Sequence, residues 1–112
     1  MITSEMQIAL EKMFAVMKAD YAAFMPPAKG AIQQQMNEDY AASLRFEEGS
    51  KYIKIIQGSS VHSFILKKED AKRGWKVGDI LKAAGWNAPA TNFTRGNVLE
   101  GDLGRVRWTG AM

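Results

Sequence analysis

The chain has 112 residues, 46% of them hydrophobic and 24% charged, which is the composition of a single globular domain over residues 1–112. Because it contains no cysteine, disulfide bonds, thiolate metal sites and cysteine nucleophiles are excluded. The formal net charge is +3, but it is unevenly distributed: residues 1–50 hold four basic and seven acidic side chains, and residues 51–112 hold eleven and five. The basic second half either meets an anionic partner or is only a solvated surface.

The first part of the chain is predicted to be helical over residues 3–48. Thr3 or Ser4 can cap the start, and Ser4 with Gln7 fits a capping box. Apolar residues then recur three and four positions apart, which predicts a first helix of five to six turns. The residues of this stripe are Met6, Leu10, Met13 or Phe14, Met17, Tyr21 and Phe24.

Pro26 and Pro27 are predicted to end this first helix, because proline disfavours helical geometry in the residue before it. A second helix is expected after Gly30, with a stripe formed by Ile32, Met36, Tyr40 and Leu44, and it ends over residues 47–50. Both stripes are interpreted as packing surfaces rather than as cofactor sites.

From about residue 50 the hydrophobic period changes to two. Residues 51–56 and 61–66 are predicted strands joined by a turn at 57–60, and residues 67–79 form an exposed loop. Residues 77–84 fit either a strand, which we prefer because its neighbours are β-like, or a short helix capped by Asp79 and ended by Gly85. A turn at 86–90, a strand at 92–99 broken at Gly96 and a last strand at 104–109 complete a predicted five-stranded, strongly bent β-barrel over residues 50–110.

Catalytic and metal-binding patterns are weak in this chain, and we predict that it is not an enzyme. His62 is the single histidine, and no acid or nucleophile accompanies it at a useful spacing. No phosphate-binding glycine loop is present, so no cofactor, metal or small-molecule substrate is expected. Charged residues within the N-terminal apolar run argue against a signal peptide, and no apolar run is long enough for a membrane span, which predicts a cytoplasmic protein.

Basic and aromatic residues are interleaved in the second half of the chain. Cations neutralise phosphates, and aromatic or guanidinium planes stack on unpaired bases. The sequence therefore predicts a nucleic-acid surface that includes Lys72, Arg73, Trp75, Arg105 and Arg107. At least one of the three tryptophans is instead expected to be a half-buried anchor against the helices.

Two segments, residues 61–68 and 78–99, look like part of a group of short phage-encoded proteins from marine viruses, cyanophages in particular. That group resembles the Sm-like (Lsm) proteins, which have an N-terminal helix and a five-stranded, strongly bent SH3-type barrel and assemble into rings. The likeness covers about residues 50–110. Its sharpest match is the run from Thr94 to Val98, which is similar to the Arg-Gly signature of the second Sm motif.

The resemblance implies a non-enzymatic homo-oligomeric ring that binds single-stranded RNA, in the host cytoplasm if the protein is phage-encoded. Arg95 is then the RNA-contacting residue, and Gly96 and Asn97 shape its loop. The Sm loop that holds a uridine carries an Asp and an Asn, whereas residues 67–78 contain Asp70 and no asparagine. The alternative is a structural or protein-interaction module with no nucleic-acid role.

Overall fold

The computed structural model describes residues 2–24 and 31–112, and within them two helices precede the strands. The predicted helix stop at Pro26 and Pro27 and the start at Gly30 lie outside the described residues. The elements in chain order are α1 (Ser4–Phe24), α2 (Ala31–Ala42), β1 (Leu44–Glu48), β2 (Tyr52–Gln57), β3 (Ser60–Leu66), β4 (Ile80–Gly85), β5 (Ala88–Pro89), β6 (Val106–Arg107) and β7 (Gly110–Ala111).

Helix α1 begins as predicted, with Thr3 as its cap. The Thr3 hydroxyl accepts a hydrogen bond from the backbone N–H of Met6 at 3.1 Å, which satisfies one of the free amides of the first turn. The predicted capping box of Ser4 with Gln7 does not form, because the Gln7 side chain instead donates to Glu11 one turn along.

The helical prediction is wrong from Ser43 onward. Ser43 ends α2: its hydroxyl donates to the carbonyl of Tyr40 at 2.6 Å, and its own N–H bonds the last turn. Residues Leu44–Glu48 then form strand β1, which pairs antiparallel with β2. Leu44 fits the four-residue spacing of a helix, but Leu44 and Phe46 also alternate with exposed residues as in a strand. Pairing with β2 stabilises the strand rather than the helix.

The predicted hairpin is confirmed as β2 and β3, which turn at Gly58, where φ is +61°. The strand interpretation of residues 77–84 is also confirmed in β4, which pairs with β3 from Ser63↔Lys82 to Ile65↔Ile80. The helix alternative for that segment is therefore wrong.

The sheet is five-stranded and antiparallel, with the order β1-β2-β3-β4-β5, so the fold is α+β. Within the described residues β1 and β5 are the two edges and do not pair with each other, so this sheet is not closed as a barrel. The predicted strand at 92–99 is a loop, and the predicted last strand at 104–109 is reduced to Val106–Arg107, which pairs with Gly110–Ala111 in a separate small hairpin.

The core lies between α1 and one face of the sheet. Side chains of Leu10, Met13 and Met17 are fully buried on the helix stripe, and they belong to one cluster with buried isoleucines of strands β2, β3 and β4. The sheet contributes Ile53, Ile55, Ile65 and Ile80, and the C-terminal segments add Val98, Val106 and Ala111. The methionines and leucine therefore pack the core, as the spacing predicts.

An aromatic cluster fixes both helices to the C-terminal hairpin. Tyr21 of α1 stacks on Tyr40 of α2 with ring centroids 4.3 Å apart, and Trp108 meets Tyr21 edge-on at 5.1 Å. The Tyr40 hydroxyl donates to the backbone carbonyl of Trp108 at 2.7 Å, and the backbone N–H of Trp108 donates to Asp20 Oδ2 at 2.8 Å. Burial and the nearby Asp20 carboxylate raise the pKa of Tyr40. Trp108 is thus the predicted half-buried anchor against the helices.

Candidate nucleic-acid interface

The loop between β5 and β6 carries the centre of the predicted site, and its path depends on Gly96. The φ angle of Gly96 is +129°, and a Cβ built there would lie 2.3 Å from the backbone oxygen of Asp102. The neighbouring Asn97 and Asp102 exchange two backbone hydrogen bonds, of 3.1 and 2.9 Å, which hold the two arms of the loop together. Only glycine combines this φ angle with so close an approach of two backbone segments.

Asn97 anchors this loop from inside. Its side-chain amide donates to Asp79 Oδ1 at 2.9 Å and to the carbonyl of Val77 at 3.1 Å, and its Oδ1 accepts from the N–H of Glu100. Asp79 in turn accepts from the backbone N–H of Lys76 at 2.8 Å. Both Asn97 and Asp79 are buried, and the Asn97 amide is already occupied by these bonds within the loop.

Arg95 is placed differently from the expectation of a side chain projecting freely towards a base. It is only 5% exposed, and its guanidinium lies on the ring of Phe93 at 3.8 Å from the centroid. Its Nη1 donates to the Phe93 carbonyl at 2.7 Å and to Asn92 Oδ1 at 3.1 Å. Burial, and then the nearby Arg105, lowers the pKa of Arg95. The loop therefore holds Arg95 beneath an aromatic ring.

Several predicted residues line one polar cleft of about 400 Å³. Its basic side chains are accompanied by acids, of which Glu100 pairs with Lys76 at 2.5 Å and raises the pKa of that lysine. The cleft is therefore of mixed charge rather than uniformly basic. The predicted residues it brings together are Trp75, Arg95, Gly96, Asn97 and Arg105.

The other predicted residues do not line this cleft. Arg73 forms an ion pair with Asp70 at 2.7 Å and stacks on Trp75 at 5.1 Å, and its hydrogen bond lowers the pKa of Asp70. Arg107 donates to the carbonyls of Gly104 and Val106. Lys72 is exposed in the loop before Trp75. The eight predicted residues thus divide into a group of five that line the cleft and an outer group of three that do not.

Two exposed aromatic rings lie outside the eight predicted site residues. Phe93 is 46% exposed and has the guanidinium of Arg95 against it. Trp86, also 46% exposed, lies under Lys54 Nζ at 4.8 Å, and the same amine donates to Asn87 at 2.7 Å. The position of Phe93 two residues before the Arg-Gly pair was the available signal for the first ring.

His62 is buried, and its ring links strand β3 to strand β6 through a hydrogen bond. Its Nε2–H donates to the carbonyl of Arg107 at 2.6 Å, and its Nδ1 accepts from the hydroxyl of Ser63 at 2.8 Å. Burial lowers the pKa of His62 from its ordinary 6.5, although the bond to the Arg107 carbonyl opposes this shift. Both ring nitrogens are thus occupied in the described structure, with His62 in its neutral form.

We expect the free energy of unfolding to fall as pH decreases below about 6.5, because the unfolded chain then binds a proton that folded His62 binds less readily. This contribution approaches at most about 1.4 kcal/mol per pH unit. Denaturant midpoints measured at pH values of about 7.5 and 5.5 test it, with His62→Gln as the control for titrating carboxylates. An identical pH dependence in both proteins would contradict the assignment.

Within residues 2–24 and 31–112, no group of three or more histidine and acidic side chains is placed to hold a metal ion. Over the same residues, neither helix has the combination of length and apolar character needed to cross a bilayer.

Comparison with protein families gives one match that spans nearly the whole chain. The model of a family of unknown function, DUF7717, matches residues 2–112. No curated protein and no solved structure matches the chain.

Proposed function

We propose a role in binding single-stranded RNA for this chain, which belongs to the family of unknown function DUF7717. In this proposal the protein is non-enzymatic, is of phage origin and assembles into a homo-oligomeric, Sm-like ring. Its N-terminal helices stabilise each subunit, and the loop that carries Phe93 and Arg95 meets the nucleic acid.

The observation that carries the proposal is the exposed ring of Phe93 beside two guanidinium groups. Arg95 lies 3.8 Å from the ring centroid and Arg105 lies 5.7 Å from it. No acidic side chain among the described residues forms an ion pair with either arginine. A half-exposed ring next to two arginines that form no ion pair among the described residues suits an unpaired base and its backbone, since stacking contributes about 1–3 kcal/mol per base.

Further predicted cations lie outside the lining of the cleft. Lys72 and Arg107 are exposed, and residues 51–112 carry eleven basic side chains against five acidic ones. Contacts of such side chains with phosphates release counterions, so they add affinity that depends on salt and little on base sequence. The outer group therefore supports a general attraction for a polyanion, and the Phe93 region supports contact with unpaired bases.

The ring part of the proposal is supported by the open edge of the sheet. Among the described residues, strand β1 pairs on one side only, so its outer backbone groups are available for pairing with an edge strand of a second copy. Such pairing between identical subunits closes into a ring when the rotation between neighbours is regular. A particle mass by light scattering that is a multiple of the 12.4 kDa chain supports this arrangement, and a monomer at every concentration contradicts it.

Replacement of Phe93 by alanine is expected to weaken binding of labelled oligouridine by about 1–3 kcal/mol, because the stacking ring is removed. Phe93→Tyr is the matched control and should retain the affinity, since it keeps the ring. Fluorescence anisotropy at two salt concentrations measures both variants.

Lys72→Ala gives a contrasting result in the same titration. It should lower the magnitude of the slope of log affinity against log salt by about one unit, because one phosphate contact is removed, and it should leave the melting temperature unchanged.

Arg95→Ala should weaken binding and also lower the melting temperature, because Arg95 is buried. If wild-type protein binds neither oligouridine nor single-stranded DNA at low salt, the nucleic-acid role is wrong and the interaction module remains.

A further inference from the structure

We infer that Arg95 and Arg105 together form a site for one phosphate group, adjacent to the ring of Phe93. This inference rests on the proposed function, because the phosphate is taken to belong to the nucleotide whose base stacks on Phe93. It goes further in naming the chemical group that the two arginines bind and the atoms of Arg95 that bind it.

The hydrogen bonds of Arg95 leave one edge of its guanidinium unused. Nη1 makes both bonds to the loop, with Asn92 and with the Phe93 carbonyl. The Nε–H is buried and has no acceptor among the described residues. Nε and Nη2 form the side edge of the guanidinium, which donates two parallel hydrogen bonds to an oxyanion.

An unused buried donor is costly, which is why nearly all such groups in folded proteins have partners. Asn92 and the Phe93 carbonyl fix the plane of the Arg95 guanidinium through Nη1, so the Nε–H cannot turn towards another loop acceptor without breaking those bonds. An incoming oxyanion would supply the missing acceptor. The geometry of the loop therefore prepares Arg95 for a ligand that the described chain does not provide.

Arg105 adds a second positive charge that lines the same cleft as Arg95. Its guanidinium lies 5.7 Å from the Phe93 centroid, and its proximity contributes to the lowered pKa of Arg95. Two like charges held near each other without an ion pair are stabilised when an anion binds between them. The neighbouring acids Asp79 and Glu100 are already occupied by hydrogen bonds, with Asn97 and with Lys76.

A phosphate satisfies this arrangement better than a carboxylate does. Its oxygens are tetrahedral, so one phosphate can accept from the Arg95 edge and from Arg105 in different directions, whereas the two oxygens of a carboxylate share a plane. A phosphate also lies beside every base of a nucleic-acid strand, and the Phe93 ring is exposed beside the two arginines.

The Arg95 Nε–H resonance in a ¹⁵N-labelled sample reports this site directly. We expect inorganic phosphate and uridine 5′-monophosphate to shift that resonance, and uridine, which lacks the phosphate, to leave it in place. Arg105→Gln, at an exposed position, should weaken the phosphate response about tenfold. Arg45→Gln is the matched control and should leave it unchanged, since Arg45 is exposed on β1 and does not line the cleft.

Two further titrations separate the alternatives. Asp102→Asn removes a negative charge that lines the cleft and should strengthen the phosphate response several-fold. Sodium acetate should shift the Arg95 resonance less than phosphate does, and an equal shift by acetate overturns the phosphate assignment in favour of a carboxylate partner. No shift of the resonance with any phosphate compound also overturns it.

The outcomes for the phosphate site and for RNA binding are distinguishable. If oligouridine binding needs Phe93 but is unchanged by Arg105→Gln and Asp102→Asn, the phosphate site is wrong and the RNA function stands. If phosphate shifts the Arg95 resonance and oligouridine does not bind, the phosphate site stands and the RNA function is wrong.

Discussion

Gly96→Ala should lower the free energy of unfolding by about 2–5 kcal/mol, because a Cβ at this position meets a backbone atom that cannot move aside cheaply. The new carbon would lie 2.3 Å from the backbone oxygen of Asp102, at a φ angle of +129° that side chains rarely adopt. Relief of the clash requires the two arms of the loop to separate, which breaks the hydrogen bonds between Asn97 and Asp102.

Gly101→Ala is the matched control in the same loop. Gly101 also has a positive φ angle, +72°, but a Cβ there meets nothing within 4 Å. Its cost should be about 1–2 kcal/mol, from backbone strain alone. Denaturant unfolding of both variants separates close approach from conformational strain, and an equal loss in the two would show that the contact with Asp102 does not matter.

The Gly96 variant also has a functional consequence. Arg95 and Phe93 precede the glycine, and the hydrogen bond from Arg95 N to the Ile80 carbonyl, 2.7 Å long, ties this part of the loop to β4. Displacement of the loop should therefore weaken oligouridine binding at temperatures where the rest of the protein remains folded. Gly101→Ala should bind like the wild type.

Leu10→Ala should lower the free energy of unfolding by about 2–5 kcal/mol, the range for a leucine truncated in a packed core. The Leu10 side chain is 0% exposed at the centre of the cluster between α1 and the sheet. Leu44→Ala should cost less, because Leu44 lies on edge strand β1 and is only partly buried.

Ile8→Ala is the control on the same helix. Ile8 is 51% exposed, so its truncation should cost less than about 1 kcal/mol. Thermal or denaturant unfolding measures all three variants. A melting curve of Leu10→Ala close to that of the wild type would show that the α1 stripe does not stabilise the subunit, and the stripe would then be assigned to binding a partner.

Local patterns in the sequence were sufficient for several elements. The stripe of Leu10, Met13 and Met17 requires a helix with one buried face, and the α1 helix of the structure buries those residues. The hairpin of β2 and β3 follows from two alternating runs around Gly58. These predictions succeed because hydrophobic period and turn residues act within a few positions of the chain.

Residues Leu44–Glu48 show where local patterns are insufficient. Their side chains fit the four-residue spacing of α2 and also a strand alternation, and the choice depends on β2, which begins four residues after β1 ends. Pairing with β2 supplies hydrogen-bond partners for the backbone N–H and C=O groups of these residues, so the helix does not continue past Ser43. The competing helix has no comparable partner for its last turn.

The candidate site shows the same division. Sequence alone determined the basic second half and the Arg-Gly pair. Only the tertiary structure decided that Arg95 is buried against Phe93 and that Asn97 is occupied by Asp79, a residue 18 positions earlier. The reason is physical: charge and turn propensity are properties of a residue and its neighbours, whereas burial and hydrogen-bond partners depend on which distant segments the fold brings into contact.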